Sequence, residues 1–87
     1  MKLIIGLVMM LSAFAAVAGP DCTKEVKTKW QDEKKFQENL VKEGYKIKKW
    51  KVTSGNCYEI YGWNKEGKKV EIYFNPVDGS KVKEEIN

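Results

Sequence analysis

The chain has 87 residues, with 16 basic side chains that are all lysine, 12 acidic ones, no histidine and two cysteines. One small domain is the most that this length holds. Without imidazole there is no Ser-His-Asp or Cys-His catalytic group and no Cys2His2 zinc site, and without guanidinium there is no planar fork for phosphate or carboxylate.

Residues 1–18 read MKLIIGLVMMLSAFAAVA. Lys2 is followed by an apolar run and then by Ala16-Val17-Ala18 ahead of Gly19-Pro20. This is the pattern of a secretory signal peptide, cleaved near Ala18-Gly19. The run is shorter than the ~20 residues that a spanning helix needs, so the cleaved protein is expected to be secreted or periplasmic and not integral to a membrane. Gly19-Pro20-Asp21 before Cys22 disfavours a lipid anchor. Removing the leader removes Lys2, every Met and every Ala, and takes the formal charge from +4 to +3. A domain of the remaining size has a small core.

Cys22 and Cys57 lie 35 residues apart, too far for a redox motif. In an oxidising compartment a disulfide between them is expected. Closing such a loop stabilises a fold by about 3.8 kcal/mol in the chain-entropy account.

Residues 19–29 are polar and lysine-rich and read as an extended N-terminal arm. A helix follows, from position 32 or 33 to 43. Asp32 can cap it, Glu33 suits the positive end of its dipole, Phe36, Leu40 and Val41 form its stripe, and Gly44 suits the residue just past its end. The period then changes to two. Tyr45 and Ile47 share a face, and so do Trp50 and Val52, with a phase slip at Lys48-Lys49 that predicts a bulge. Ser54-Gly55-Asn56 is a turn. In positions 57–63, Tyr58 and Ile60 face one way, and Cys57, Glu59, Tyr61 and Trp63 the other. After the Asn64-Lys65-Glu66-Gly67 turn, Val70, Ile72 and Phe74 alternate with Lys69, Glu71 and Tyr73. Asn75-Pro76-Val77-Asp78-Gly79 is a third turn, and positions 80–86 are a last short strand with Val82 inward.

Short connections make the strands antiparallel neighbours, and one helix can bury its stripe only across one face of their sheet. The fold class expected is α+β, with one N-terminal helix on a four-stranded antiparallel sheet. The expected core is Phe36, Leu40, Tyr45, Ile47, Trp50 or Val52, Tyr58, Ile60, Val70, Ile72, Phe74 and Val82.

Trp30 before the helix, Gly44-Tyr45 at its end, Cys57-Tyr58-Glu59, the Lys65-Glu66-Gly67-Lys68 hairpin and the run from Val70 through Phe74 to Asn75-Pro76-Val77-Asp78-Gly79 form an ordered set. Together they resemble the PepSY domain family, in particular its small exported single-domain members, over about residues 22–85. Asn75 departs from the family, which more often has Asp before the proline. The resemblance implies a PepSY-like domain over residues 30–87, with a helix on a curved, cystatin-like sheet. It also implies a role like that of peptidase propeptides, which restrain or assist a secreted peptidase.

Three functional readings remain. For an enzyme, Glu59 and Glu71 on neighbouring strands are the candidate carboxylates, but two solvated strand residues are the favoured reading and no catalytic residue is expected. For an anionic partner, Lys46, Lys48, Lys49 and Lys51 cluster around Trp50. A solvated edge strand is the favoured explanation, and export makes nucleic acid an unexpected ligand. For a protein partner, Tyr61, Trp63 and Tyr73 with Glu59, Glu71 and Lys69 would form a face rich in aromatics among charges. Alternatively, Trp30 and the arm fold over that face through the Cys22–Cys57 link. The reading that follows is a non-enzymatic binding module without cofactor or metal, which modulates a peptidase or binds another envelope protein. A lysine-rich module for anionic lipid or polysaccharide surfaces is the alternative.

Overall fold

The computed structural model describes residues 19–87; the signal-peptide expectation lies outside them. Helix α1 runs Glu33–Lys42. Asp32 caps it, Oδ2 accepting from Lys35 N at 3.0 Å, and Glu33 and Lys42 place charge of the favourable sign at either end. Past its end the chain turns through Gly44 at φ 108°. Gly44 N–H donates to Val41 O and Tyr45 N–H to Leu40 O, each at 3.0 Å, which is the Schellman arrangement. That turn drops Tyr45 beside Leu40 in the core and starts the sheet.

The sheet contains β1 (Lys46–Val52), β2 (Tyr58–Trp63), β3 (Lys69–Phe74) and β4 (Lys81–Ile86), antiparallel and in sequence order. The α+β architecture is the one expected. The register of β1 against β2 shifts between Ile47 and Lys49, where the phase slip falls. Gly62 sits opposite this bulge, and a Cβ there would meet Lys46 O at 1.9 Å, so only glycine lets the bulged backbone come this close.

The helix lays Phe36 and Leu40 onto Tyr45, Tyr58, Ile60, Val70, Ile72 and Phe74, and Trp30, Ile47 and Trp50 close the margin. Phe36 is the hub. Its ring lies 5.0 Å from Tyr58, 5.4 Å from Phe74 and 5.9 Å from Trp50, in tilted or edge-on arrangements. Each fully buried side chain of this size contributes about 1.5–3 kcal/mol.

One open alternative is settled and two expectations need correction. Of the Trp50 or Val52 alternative, Trp50 packs inward while Val52 stays exposed. Val82 is 41% exposed and not core. A register shift between Tyr73 and Phe74, opposite the Lys81–Lys83 stretch, breaks the alternation there, and every residue of β4 is exposed. The arm is not wholly extended, since Lys27–Lys29 form a 3-10 turn that brings Trp30 to the helix side of the sheet.

Candidate binding face

The face of the sheet away from α1 is set by strand register. Glu59 lies opposite Tyr73, Tyr61 opposite Glu71, and Trp63 opposite Lys69, while Lys51 and Lys49 flank Glu59 and Tyr61 from β1. The sequence-derived set of Tyr61, Trp63, Tyr73, Glu59, Glu71 and Lys69 therefore does share one face. It divides into two halves.

The half next to Cys57 is covered. Cys22 and Cys57 form a disulfide with Cα atoms 5.0 Å apart. It pins the start of the arm over this end, with Gly19 against the Tyr73 ring. Cys22 N–H donates to Gly55 O at 2.9 Å, and Asn56 Nδ2 to Thr23 O at 3.4 Å. Asn75 supplies the other clamp. Its Nδ2 donates to Cys22 O at 3.0 Å while its Oδ1 accepts from Val77 N at 2.8 Å. An ionised aspartate, the commoner family residue, could do only the second. The arm thus covers part of the face, as one of the two alternatives required. Trp30 does not take part, because its ring packs edge-on against Tyr58 on the opposite side, centroids 5.7 Å apart.

Beneath this cover Glu59 is 2% exposed, which corrects its reading as a solvated strand residue. Its Oε2 has no hydrogen-bond partner among the described residues. Burial pushes its carboxyl above the usual range, and the adjoining Glu71 pushes it further, with the Tyr61 and Tyr73 hydroxyls acting the other way. Glu71 is held below the usual range, chiefly by its hydrogen bond with Glu59, against the effect of its own partial burial. Tyr73 Oη donates to Glu71 Oε2 at 3.0 Å. The two directions differ in sign, so within this pair Glu71 ionises more readily than Glu59. The two neighbouring phenols are kept protonated as donors. The Glu71 acceptor, then burial, pushes Tyr61 up to about 12, and burial, then Glu71, raises Tyr73 as well.

The other half is open. Tyr61 is 37% exposed, Trp63 and Glu71 are half-buried and Lys69 is exposed. This end carries an amphipathic aromatic patch edged by charges of both signs, a composition enriched at protein interfaces.

The lysine cluster does not form one patch. Lys49 and Lys51 share the binding face by pairing with Tyr61 and Glu59, and Lys48 sits at the bulge. Trp50 is turned to the helix side, its indole N–H donating to Glu33 Oε1 at 2.8 Å and its ring 4.8 Å from Tyr58, so it does not stand among these lysines on one face. Among the described residues no group of three or more metal-ligating side chains comes together.

Asn75 and the depth of Glu59 escaped sequence reasoning. Asn75 carried a signal, as the position where the family pattern is broken. Glu59 carried none, because its burial depends on an arm that begins 40 positions earlier in the chain.

A sequence model of the family described as Peptidase propeptide and YPEB domain matches residues 2–85. No curated protein and no solved structure matches the chain.

Proposed function

The chain belongs to the PepSY family of peptidase propeptide and YPEB domains, and from that premise we propose that it is an exported binding module acting on a peptidase or another envelope protein. The observation that carries this reading is the divided face. A disulfide-held arm covers one half, and Tyr61, Trp63, Lys69 and Glu71 are left presented on the other. Aromatic side chains on a rigid sheet offer contact area at low entropic cost, which suits a partner surface.

The module is read as acting by binding and not by catalysis. PepSY domains are propeptide and regulatory modules, and of the Glu59–Glu71 carboxyls Glu59 is buried away from any substrate. The Cys22–Cys57 link and the leader-like residues 1–18 support an oxidising compartment outside the cytoplasm. No helix among the described residues is long and apolar enough to cross a membrane.

The test is to mix the purified protein with the exported peptidases of its own cell, and to follow complex formation, peptidase activity and peptidase refolding yield. A complex that alters activity or yield, and that Tyr61→Ser with Trp63→Ser abolishes without lowering the melting temperature, supports the reading. No complex with any of them, and none with another envelope protein, overturns it.

A further inference from the structure

Away from the divided face, the edge strand β1 and helix α1 enclose a groove of about 860 Å³. Its apolar lining comes from Val41, which is 57% exposed, Ile47 and Trp50. Among the described residues strand β1 has a neighbour on one side only. Thr53 N–H is spent on Cys57 O at 3.0 Å, so the antiparallel alternation turns the N–H and C=O of Trp50 and Val52 away from β2, toward the open edge. A strand edge running beside an apolar groove is the geometry in which an extended peptide adds main-chain pairing and seats one side chain.

Charge selects the occupant. Lys34, Lys42 and Lys48 line the groove, and Lys46, Lys49 and Lys51 belong to the same strand, against Glu33 and Glu38 alone. Glu33 is already engaged by the Trp50 indole. The ion pairs among the described residues, Lys81–Glu84 and Lys83–Glu85, both lie on β4, so these six lysines have no carboxylate partner. On a strand edge, like charges set opposite one another destabilise pairing and unlike charges stabilise it. A second copy would bring lysine against lysine. An acidic strand would bring carboxylates to Lys49 and Lys51.

We infer that the β1 edge and the α1–β1 groove bind an extended acidic segment of a partner protein, which pairs with the Lys49–Val52 stretch and places one aliphatic side chain over Val41, Ile47 and Trp50. The site borders the divided face through Lys49 and Lys51 but is centred on the β1 edge and the groove on the helix side, so loss of peptide binding with Tyr61 and Trp63 intact separates the two readings.

The probe is a blocked nonapeptide of alternating glutamate and valine with a central leucine. It is titrated into isotope-labelled protein purified from an exporting host with its disulfide intact. Amide shifts should concentrate on Lys49–Val52 and on Val41. Replacing the glutamates by lysine should weaken binding at least 10-fold, as should a central proline that cannot pair with the edge. Lys49→Gln with Lys51→Gln, both exposed positions, should weaken it similarly while leaving the melting temperature unchanged. Shifts confined to β4 or to Tyr61 and Trp63 would overturn the inference, as would equal binding of the lysine peptide or no binding at all. A β1-paired dimer of the protein would also overturn it. So would anionic phospholipid vesicles that bind this strand as tightly as the peptide does and displace it, since they would mark a general polyanion surface.

Discussion

On the helix side of the sheet, Phe36, Tyr58, Ile60, Ile72 and Phe74 meet apolar neighbours, and the buried tip of Tyr58, Oη, donates to Gln31 O at 2.6 Å. On the other side, the same strands bury a carboxyl with an unpartnered oxygen under an arm held by one disulfide and a few polar contacts. The first side is stabilised mainly by area and packing. The second depends on a covalent link, a carboxyl pair and an amide, each of which can be changed singly. Stability and adjustability are thus placed on opposite faces of one sheet.

The largest effect is expected from the helix side. Phe36→Ala removes the hub of the aromatic cluster and should cost about 3–5 kcal/mol by chemical denaturation, enough to unfold much of a marginal domain. Close behind, Cys22→Ser with Cys57→Ser should cost about 3.8 kcal/mol through the freed loop. It should also speed amide exchange in the arm while leaving the Phe36 cluster's near-ultraviolet circular dichroism intact once stability is restored by osmolyte. Equal loss of both signals would mean that the two faces are not separable.

Next comes the Glu59–Glu71 carboxyl pair. Glu59 is raised in the fold, so its contribution to stability is full below the ordinary glutamate value and is lost as pH rises through its raised folded value. Glu71 is lowered, so its contribution is present above the ordinary value and is lost as pH falls through the folded one. Stability should therefore fall on both sides of a maximum. Glu59→Gln should flatten the alkaline limb, with a difference from the parent protein of about 1–2 kcal/mol, the usual cost of an unpaired buried polar group. Glu71→Gln should flatten the acid limb. Urea titrations from pH 3 to 9 on all three proteins would show it.

The smallest effect is Asn75→Asp, which keeps the acceptor for Val77 N and loses the donor to Cys22 O. A loss of about 1 kcal/mol is expected, with faster exchange at Cys22 and Thr23 and none at Phe36.

The same contrast explains what the sequence made legible. The helix side was read residue by residue because periodicity and turn chemistry are local. Asp32, Gly44 and the Lys48 phase slip each announced a feature that the fold contains. Val82 failed because alternation along β4 is broken by a register shift set by its partner strand, which no period within 80–86 reveals. On the far side the membership of the face was legible, since alternation alone put Glu59, Tyr61 and Tyr73 together. The division of the face was not. It depends on where a polar arm lies, and that is decided by Cys57, Gly55 and Asn75, distant in sequence and brought close only by the turns.

The most direct test of the central proposal, that the uncovered half of this face is where a partner sits, is amide hydrogen exchange of the protein alone and in complex with a peptidase or envelope protein recovered by the binding test above. Protection is expected over Tyr61–Trp63 and Lys69–Glu71, with the arm's exchange little changed. Protection that leaves those residues untouched, or a complex that forms equally well after Tyr61→Ser with Trp63→Ser, would contradict it.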